Sequence, residues 1–375
     1  METTFVIDSN SEATHLLLNP RLPPEERRGL DELARAAPDL RAHVWIATSG
    51  TSGSLKLTAL SKASLLASAA AVNRHLGATG NDVWCCVLPL FHVGGLGIHA
   101  RASLTGGPVF SMDWQAGEFV PFCDERRVTL CSLVPAQVSD LVRERVTAPT
   151  SIRAIVVGGG ALGPELYRQA RDLGWPLLPS YGMTECCSQV ATAALGSLMA
   201  NDFPDLELLP HLQARTEPDG RLALAGASLL TGYALHDEEG KPRFVDPKVE
   251  GWFVSDDLGN LDDSDGRRVL RVVGRRGEII KIGGESVDLA RLDRILESVI
   301  REIVPTADAA VFAAPDPRLG LVIHLAATTS AKLISDAFNA RVLPFARIRG
   351  VHVVEAIPRS SLGKILRDRL AAQIG

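Results

Sequence analysis

At 375 residues the chain exceeds the roughly 250–300 at which a single hydrophobic core stops growing, so at least two domains are expected. With 46% hydrophobic and 22% charged residues it is too apolar to be disordered, and a net charge of −5 offers no polybasic stripe for nucleic acid or an anionic membrane. No apolar run approaches the roughly 20 residues that cross a bilayer, and the opening METTFVIDSN lacks the basic and apolar regions of a secretory signal, so a cytoplasmic protein without membrane insertion is expected.

Residues 1–42, rich in Pro, Glu and Arg, read as a lead-in with one short helix at 31–37. From His43 onward, short apolar runs alternate with helical stretches, the pattern of a mainly parallel sheet with covering helices. HVWIAT (43–48), VWCCVL (83–88), VTLCSLV (128–134) and IRAIVV (152–157) read as strands and 62–76 as a helix. GPELYRQARDL follows as a helix with Pro164 near its first turn. Around 201–250, short segments broken by Pro, Gly and charge suggest a β-rich subdomain. A smaller α/β unit then follows, with strands near 269–273, 309–313 and 321–326 and helices near 288–300, 330–341 and 364–374. The charged GRRG at 274–277 marks the boundary. The fold class expected is therefore α/β, a large domain at 1–274 followed by a small mobile domain at 275–375. Six cysteines (Cys85, Cys86, Cys123, Cys131, Cys186, Cys187) include no C-x-x-C spacing and read as reduced, partly buried thiols.

TSGTSGSLK, Thr48 to Lys56, follows a strand directly. Its hydroxyls and backbone N–H groups can converge on one anion beside Lys56; the alternative is a Ser/Gly-rich surface turn. It is not a Walker A loop, because Leu55 stands where that motif needs Gly. GGGALG (158–163) matches G-x-G-x-x-G between strand and helix, but no acid follows the next strand to hold a ribose, so a dinucleotide is not expected. YGMTE (181–185) gathers a ring, a hydroxyl and a carboxylate on a strand-end loop, a set suited to a base, a phosphate and Mg²⁺. The vicinal acids Asp256 and Asp257 suit ribose hydroxyls or a solvated turn. Lys364, near the start of the last helix, is poorly matched to the dipole there and is either a surface charge or held for an anion.

In order and spacing, these segments together with LPLFHVGG, GWFVSDDLG, VVGRRGEIIK and SSLGK resemble the adenylate-forming superfamily of acyl-CoA synthetases, adenylation domains and luciferases, over residues 43–370. Within it, LPLFHVGGLGIHAR (88–101), CSLVPAQ (131–137), VVGGGAL (156–162) and GGES (283–286) are most similar to the o-succinylbenzoate–CoA ligase family of menaquinone biosynthesis. The resemblance implies that ATP, Mg²⁺ and coenzyme A act on a small carboxylate, with self-association left open. It implies that Thr48, Ser49, Gly50, Thr51, Ser52, Gly53 and Lys56 grip the β- and γ-phosphates. Tyr181 would lie on adenine, Thr184 on the α-phosphate and Glu185 on Mg²⁺, with Asp257 and Arg275 on the ribose and Lys364 bridging carboxylate and α-phosphate. Gly158, Gly159 and Gly160 would line the acyl site. His92 resembles a gate beside the acyl pocket, or is a packed core histidine. Arg101 would face a second carboxylate of the acid, or pair with a structural Asp or Glu. Departures from the pattern are Leu55 for the usual Pro, Gly277 at the hinge, Asp256 for the usual Gly and a phosphate loop that begins early, which implies an N-terminally shortened large domain. Alternatives are another aryl- or fatty-acid ligase, a carrier-loading adenylation enzyme, or an inactive nucleotide-binding protein.

Overall fold

The computed structural model describes residues 7–8, 11–49, 55–160, 162–237, 239–264, 266–275, 279–358, 365 and 367–374. The chain divides into two compact units, one containing 1–48 and 55–276, the other containing the residues from 277 onward.

The first unit is built on an eleven-stranded sheet whose one half is parallel. There Val109–Ser111, Trp84–Cys86, Leu130–Leu133, Ala154–Val157 and Leu177–Met183 run side by side. Ala154–Val157 shows why: all four residues are buried, Ile155 and Val157 facing one apolar layer with Phe119, Tyr167 and Trp175, Ala154 and Val156 facing another with Trp84, Ile98 and Leu130. A strand covered on both faces needs apolar residues at every position rather than at alternate ones. From Leu177–Met183 the sheet turns antiparallel through Ser188–Thr192 and Glu207–Leu208 to the long hairpin Phe253–Ser264 and Arg267–Arg275. A second, five-stranded sheet contains His15–Leu17, His43–Ser49, Leu55–Ser61, Gly232–His236 and Pro242–Val245.

Local signals set the helix ends. In Lys62–Leu76 the Ser61 hydroxyl accepts from the Ser64 N–H at 3.0 Å, and Gly77 closes the helix at φ 56°. The first helix is Pro24–Ala36, longer than the 31–37 expected, because Pro24 at the first helical position and the acids Glu25 and Glu26 in the first turn favour an earlier start. The segment 269–273, expected in the smaller unit, instead pairs with Phe253–Ser264 and Glu207–Leu208 in the first. All six cysteines are buried and unpaired in disulfides; burial pushes the Cys86 thiol up to about 11 and raises Cys131, Cys186 and Cys187 as well.

The second unit holds the hairpin Ile279–Ile282 and Glu285–Asp288, and a three-stranded sheet of Ala309–Asp316, Gly320–Ala327 and Ile348–Val353. Helix Leu289–Ile303 packs Leu292, Leu296 and Val299, one face at helical spacing, with Val311, Ile323 and Leu325 of that sheet. Among the described residues no helix is long and apolar enough to cross a membrane.

Asp82 ties the parallel strands to the end of helix Lys62–Leu76. Arg153 donates to its two oxygens at 2.8 and 2.9 Å and to the Leu76 carbonyl at 2.7 Å. Thr129 and the Thr79 N–H donate to the same carboxylate at 2.8 Å each. Burial alone would raise the Asp82 carboxyl; the bonds from Arg153, Thr79 and Thr129 overcome it and hold the group at about 2. A depressed folded-state value contributes stability above the unfolded value near 3.9 that is lost as pH falls through the folded one. Asp82→Asn should therefore lower unfolding stability at pH 7 by about 1–2 kcal/mol, a figure reduced for solvent screening at the exposed edge of Arg153. In denaturant titrations the gap between wild type and variant should close as pH falls from about 4 toward 2. A gap that persists at pH 2 would assign the effect to packing.

Candidate active site

Four of the segments singled out in the sequence lie at the carboxyl ends of the parallel strands, where open α/β sheets bind ligands. Trp84–Cys86 leads to Leu88–His92, Leu130–Leu133 to Val134 and Pro135, Ala154–Val157 to Gly158–Gly160, and Leu177–Met183 to Thr184 and Glu185. His92 sits at the N-cap of helix Val93–Thr105, half-buried with its ring 4.7 Å from that of Phe91. Gly159 adopts φ 79°, and Gly160 packs toward Pro135 of the neighbouring strand end.

The turn from Tyr181 to Ser188 is the centre of the site. Tyr181–Met183 completes a strand, rather than lying in a loop, and Thr184–Cys186 forms one 3-10 turn. A register shift between Tyr181 and Gly182 brings the returning chain back sharply. A Cβ on Gly182 would lie 2.0 Å from the Ser188 carbonyl oxygen, so only glycine permits this closure. The turn also carries two positive-φ residues with side chains, Cys187 at 55° and Ser188 at 115°.

Glu185 stands at the tip. Its Oε1 accepts from the Tyr233 hydroxyl at 2.8 Å and lies 3.8 Å from Lys56 Nζ, whose ammonium sits 3.4 Å above the Tyr233 ring. Burial and the neighbouring Glu185 push the Tyr233 phenol well up, so it donates as a neutral hydroxyl. Among the described residues Glu185 Oε2 has no partner, and the side chain is 17% exposed. One carboxylate oxygen open beside a cation fits Mg²⁺, which binds through one or two carboxylates, water and substrate phosphate. Tyr181 donates its hydroxyl to Asp257 Oδ2 at 2.7 Å. Asp257 is a residue of strand Phe253–Ser264, not of a turn, and lies opposite Arg275 across the hairpin. Thr48 and Thr58 share a hydroxyl hydrogen bond of 3.0 Å.

Arg101 lies within helix Val93–Thr105 and is 2% exposed. Nη1 donates to Ser132 Oγ at 3.3 Å and Nη2 to Ser188 Oγ at 3.4 Å; the guanidinium lies 5.6 Å from the Trp84 ring. Among the described residues no carboxylate pairs with it, and its Nε has no partner. Desolvation lowers its pKa to about 10, which leaves it charged at neutral pH. Gly97 lies over the group: a Cβ there would meet Nη2 at 3.1 Å.

The structure thus brings Lys56, Tyr181, Glu185 and Asp257 together around one turn, and through Ser188 connects that turn to Arg101. Ser49 ends its strand, and Gly50, Thr51, Ser52, Gly53, Gly277 and Lys364 lie outside the described residues, as does the side chain of Arg275. Tyr233, Ser132 and Ser188 were not anticipated. Tyr233 is one of only three tyrosines, two of which touch this site; that scarcity was the one available signal.

A family model described as AMP-binding enzyme matches residues 2–234. The 2-succinylbenzoate–CoA ligase of Bacillus velezensis is 29% identical over 337 residues, covering 86% of this chain and 67% of that enzyme. The o-succinylbenzoate coenzyme A synthetase of Bacillus subtilis, a double mutant bound to the product analogue OSB-NCoA, superposes with a TM-score of 0.74 at 28% identity, covering 87% of this chain and 68% of the other. The same synthetase in complex with ATP and magnesium ion gives 0.59 at 26% identity, covering 96% of this chain and 79% of the other.

Gly182→Ala should cost about 3 kcal/mol, the upper end of what overpacking costs, because the carbonyl it meets belongs to the backbone. Gly196→Ala, where nothing lies within 4 Å, is the comparison. Equal thermal midpoints for the two variants would show that the turn opens without penalty.

Proposed function

The chain belongs to the AMP-binding enzyme family, and from that membership we propose that it activates o-succinylbenzoate with ATP and passes the acyl group to coenzyme A. The observation that carries the choice of acid is Arg101. A fully buried guanidinium without a carboxylate costs several kcal/mol, and an anionic group on the substrate would offset that cost. A dicarboxylate supplies one carboxylate to react and another to meet Arg101.

In the first half-reaction a carboxylate oxygen attacks the α-phosphorus of ATP, the bond to the bridging oxygen breaks, and pyrophosphate leaves. Two anions must meet, so the step needs positive charge placed in advance. Lys56 and the loop 48–53 hold the terminal phosphates, and Thr184 holds the α-phosphate. Lys364 bridges the α-phosphate and the reacting carboxylate. Glu185 would hold Mg²⁺, which supplies charge neutralisation between the phosphates. The Tyr233 hydroxyl and Lys56 orient Glu185 for that task. Tyr181 and Asp257 form the nucleoside end of the site, with Arg275 opposite. His92 and Gly158–Gly160 flank the acyl group at the strand ends. In the second half-reaction the coenzyme A thiol attacks the acyl carbon, AMP leaves, and a thioester forms. The domain from about 275 onward, which carries Lys364, is proposed to change its orientation between the two steps, as a lysine needed only for the first step requires.

The test of the acid is a ratio. Arg101→Leu should reduce the kcat/KM for o-succinylbenzoate, relative to monoacids lacking one carboxylate, by about 30- to 4000-fold, the range for breaking a buried charge pair. An unchanged ratio, or a wild type that prefers fatty acids, removes the diacid assignment. Lys364→Ala should abolish pyrophosphate release yet spare thioester formation from supplied acyl-adenylate. Equal loss in both half-reactions would assign Lys364 to both.

A further inference from the structure

Glu185 and Lys56 are joined by a short segment outside any strand, Leu230 and Thr231, which leads into Gly232–His236. Its two N–H groups hold the two sides of the phosphate end. Leu230 donates to the Glu185 carbonyl at 2.8 Å, and Thr231 donates at 2.8 Å to the carbonyl of Ala59, on the strand Leu55–Ser61 that carries Lys56. Two residues on, Tyr233 bonds the Glu185 carboxylate and lies beneath the Lys56 ammonium. The segment therefore sets how Glu185 and Lys56 stand to one another.

Backbone groups outside the ladders must find other partners. For the carbonyls of this segment the partner is Lys248, whose Nζ donates to Leu230 at 2.7 Å and to Thr231 at 3.2 Å. The same Nζ lies 2.7 Å from Asp246 Oδ1, which also accepts from the Lys248 N–H at 3.0 Å. Burial alone would raise the Asp246 carboxyl, but the bonds from Lys248 outweigh it and hold the group below its ordinary value. The hairpin brings Lys248 to this place. Tyr233 pairs with Val245, and the same antiparallel register, continued outward, sets Lys248 opposite Leu230. Gly232 allows the close approach, since a Cβ there would stand 2.5 Å from the Phe244 ring and 2.7 Å from the Val245 carbonyl. An ammonium has three donors, and all three are engaged within the chain. Lys248 has none left for a ligand.

We infer that Lys248 is a positioning residue for the first half-reaction, which fixes Leu230 and Thr231 and through them the placement of the Glu185 carboxylate beside Lys56. This rests on the proposed roles of Glu185 toward Mg²⁺ and of Lys56 toward the phosphates. The Leu230 carbonyl and the Thr231 N–H belong to one peptide unit, so a cation on the first polarises the second and strengthens its bond to Ala59. Without the ammonium, the carbonyl of Leu230, a residue 1% exposed, loses its charged donor, and the segment must shift to regain one. Any such shift reaches Glu185 by two routes, its own carbonyl and the Tyr233 hydroxyl.

The experiment measures the Kd of ATP by calorimetry with and without Mg²⁺, and the Mg²⁺ concentration for half-maximal pyrophosphate release. It compares wild type, Lys248→Met, Glu185→Gln, the double variant and Asp82→Asn, which weakens the fold through a separate tie. Lys248→Met deletes the ammonium and keeps an unbranched side chain. It should shrink the gain in ATP affinity from Mg²⁺, and raise the Mg²⁺ requirement, by about 10-fold, the low end for losing a group that orients a metal ligand. Thioester formation from supplied acyl-adenylate should stay at the wild-type rate. In the Glu185→Gln background Lys248→Met should add little, whereas an independent structural effect would add in full. Asp82→Asn should lower the thermal midpoint and leave the Mg²⁺ gain unchanged. A wild-type gain in Lys248→Met, an equal loss in Asp82→Asn, or full additivity with Glu185→Gln overturns the inference. If Glu185→Gln itself keeps the wild-type gain, the reading of Glu185 as the metal ligand has failed; if it loses the gain and Lys248→Met does not, only the role of Lys248 has. Should Lys248→Met not fold, Lys248→Arg takes its place. Its planar fork must displace the segment to bond both carbonyls, so a wild-type gain there overturns the inference equally.

Discussion

The approach of the Ser188 carbonyl to the bare Cα of Gly182 is the contact on which the site depends. It folds Tyr181 to Ser188 into a closed turn with Glu185 at the tip and Ser188 at the base. The tip faces Lys56 and Tyr233, where phosphate chemistry is proposed; the base touches Arg101, where the acid is proposed to be selected. On that proposal, eight residues span both halves of the reaction. A rigid element with both tasks keeps the carboxylate and the phosphorus in register without needing two loops to agree.

Electrostatics in this unit follows two patterns. Asp82 is buried with its counter-charge and four bonds, so its charge is fully compensated within the chain. Arg101 is buried more deeply with two hydroxyls and an aromatic edge, so its charge is only partly compensated. The first arrangement stabilises the fold. On the proposed function, the second is a prearranged site whose remaining stabilisation arrives with the diacid, the logic by which polar sites reject molecules that lack the matching group.

Where the signal was local, the sequence was legible. Lys62–Leu76 has its cap serine and closing glycine in place, and 152–157 is apolar at every position, as a doubly covered strand must be. Arg101 stood out because a charge in an apolar stretch demands an explanation. The misplacement of 269–273 has the opposite cause: apolar alternation identifies a strand but not its partner, and here the hairpin from 253 claimed it. Ser132, Ser188 and Tyr233 were invisible for a similar reason. Hydroxyls leave no periodic trace, and these meet partners 31, 87 and 48 residues away. Which side chain completes a site is settled by the topology of the sheet, which no single segment contains.

The placement of sulfur has a chemical corollary. A mixed anhydride such as an acyl-adenylate is attacked by thiols, and the proposed second step depends on a thiol doing so. Cys186 and Cys187 follow Glu185 directly in the chain, yet both are buried, as are the other four. Burial raises the pKa of Cys86, Cys131, Cys186 and Cys187, which further suppresses the thiolate, the reactive form. Self-acylation is thus disfavoured by access and by ionisation together, so that an acyl group activated here is reserved for the thiol of the incoming acceptor.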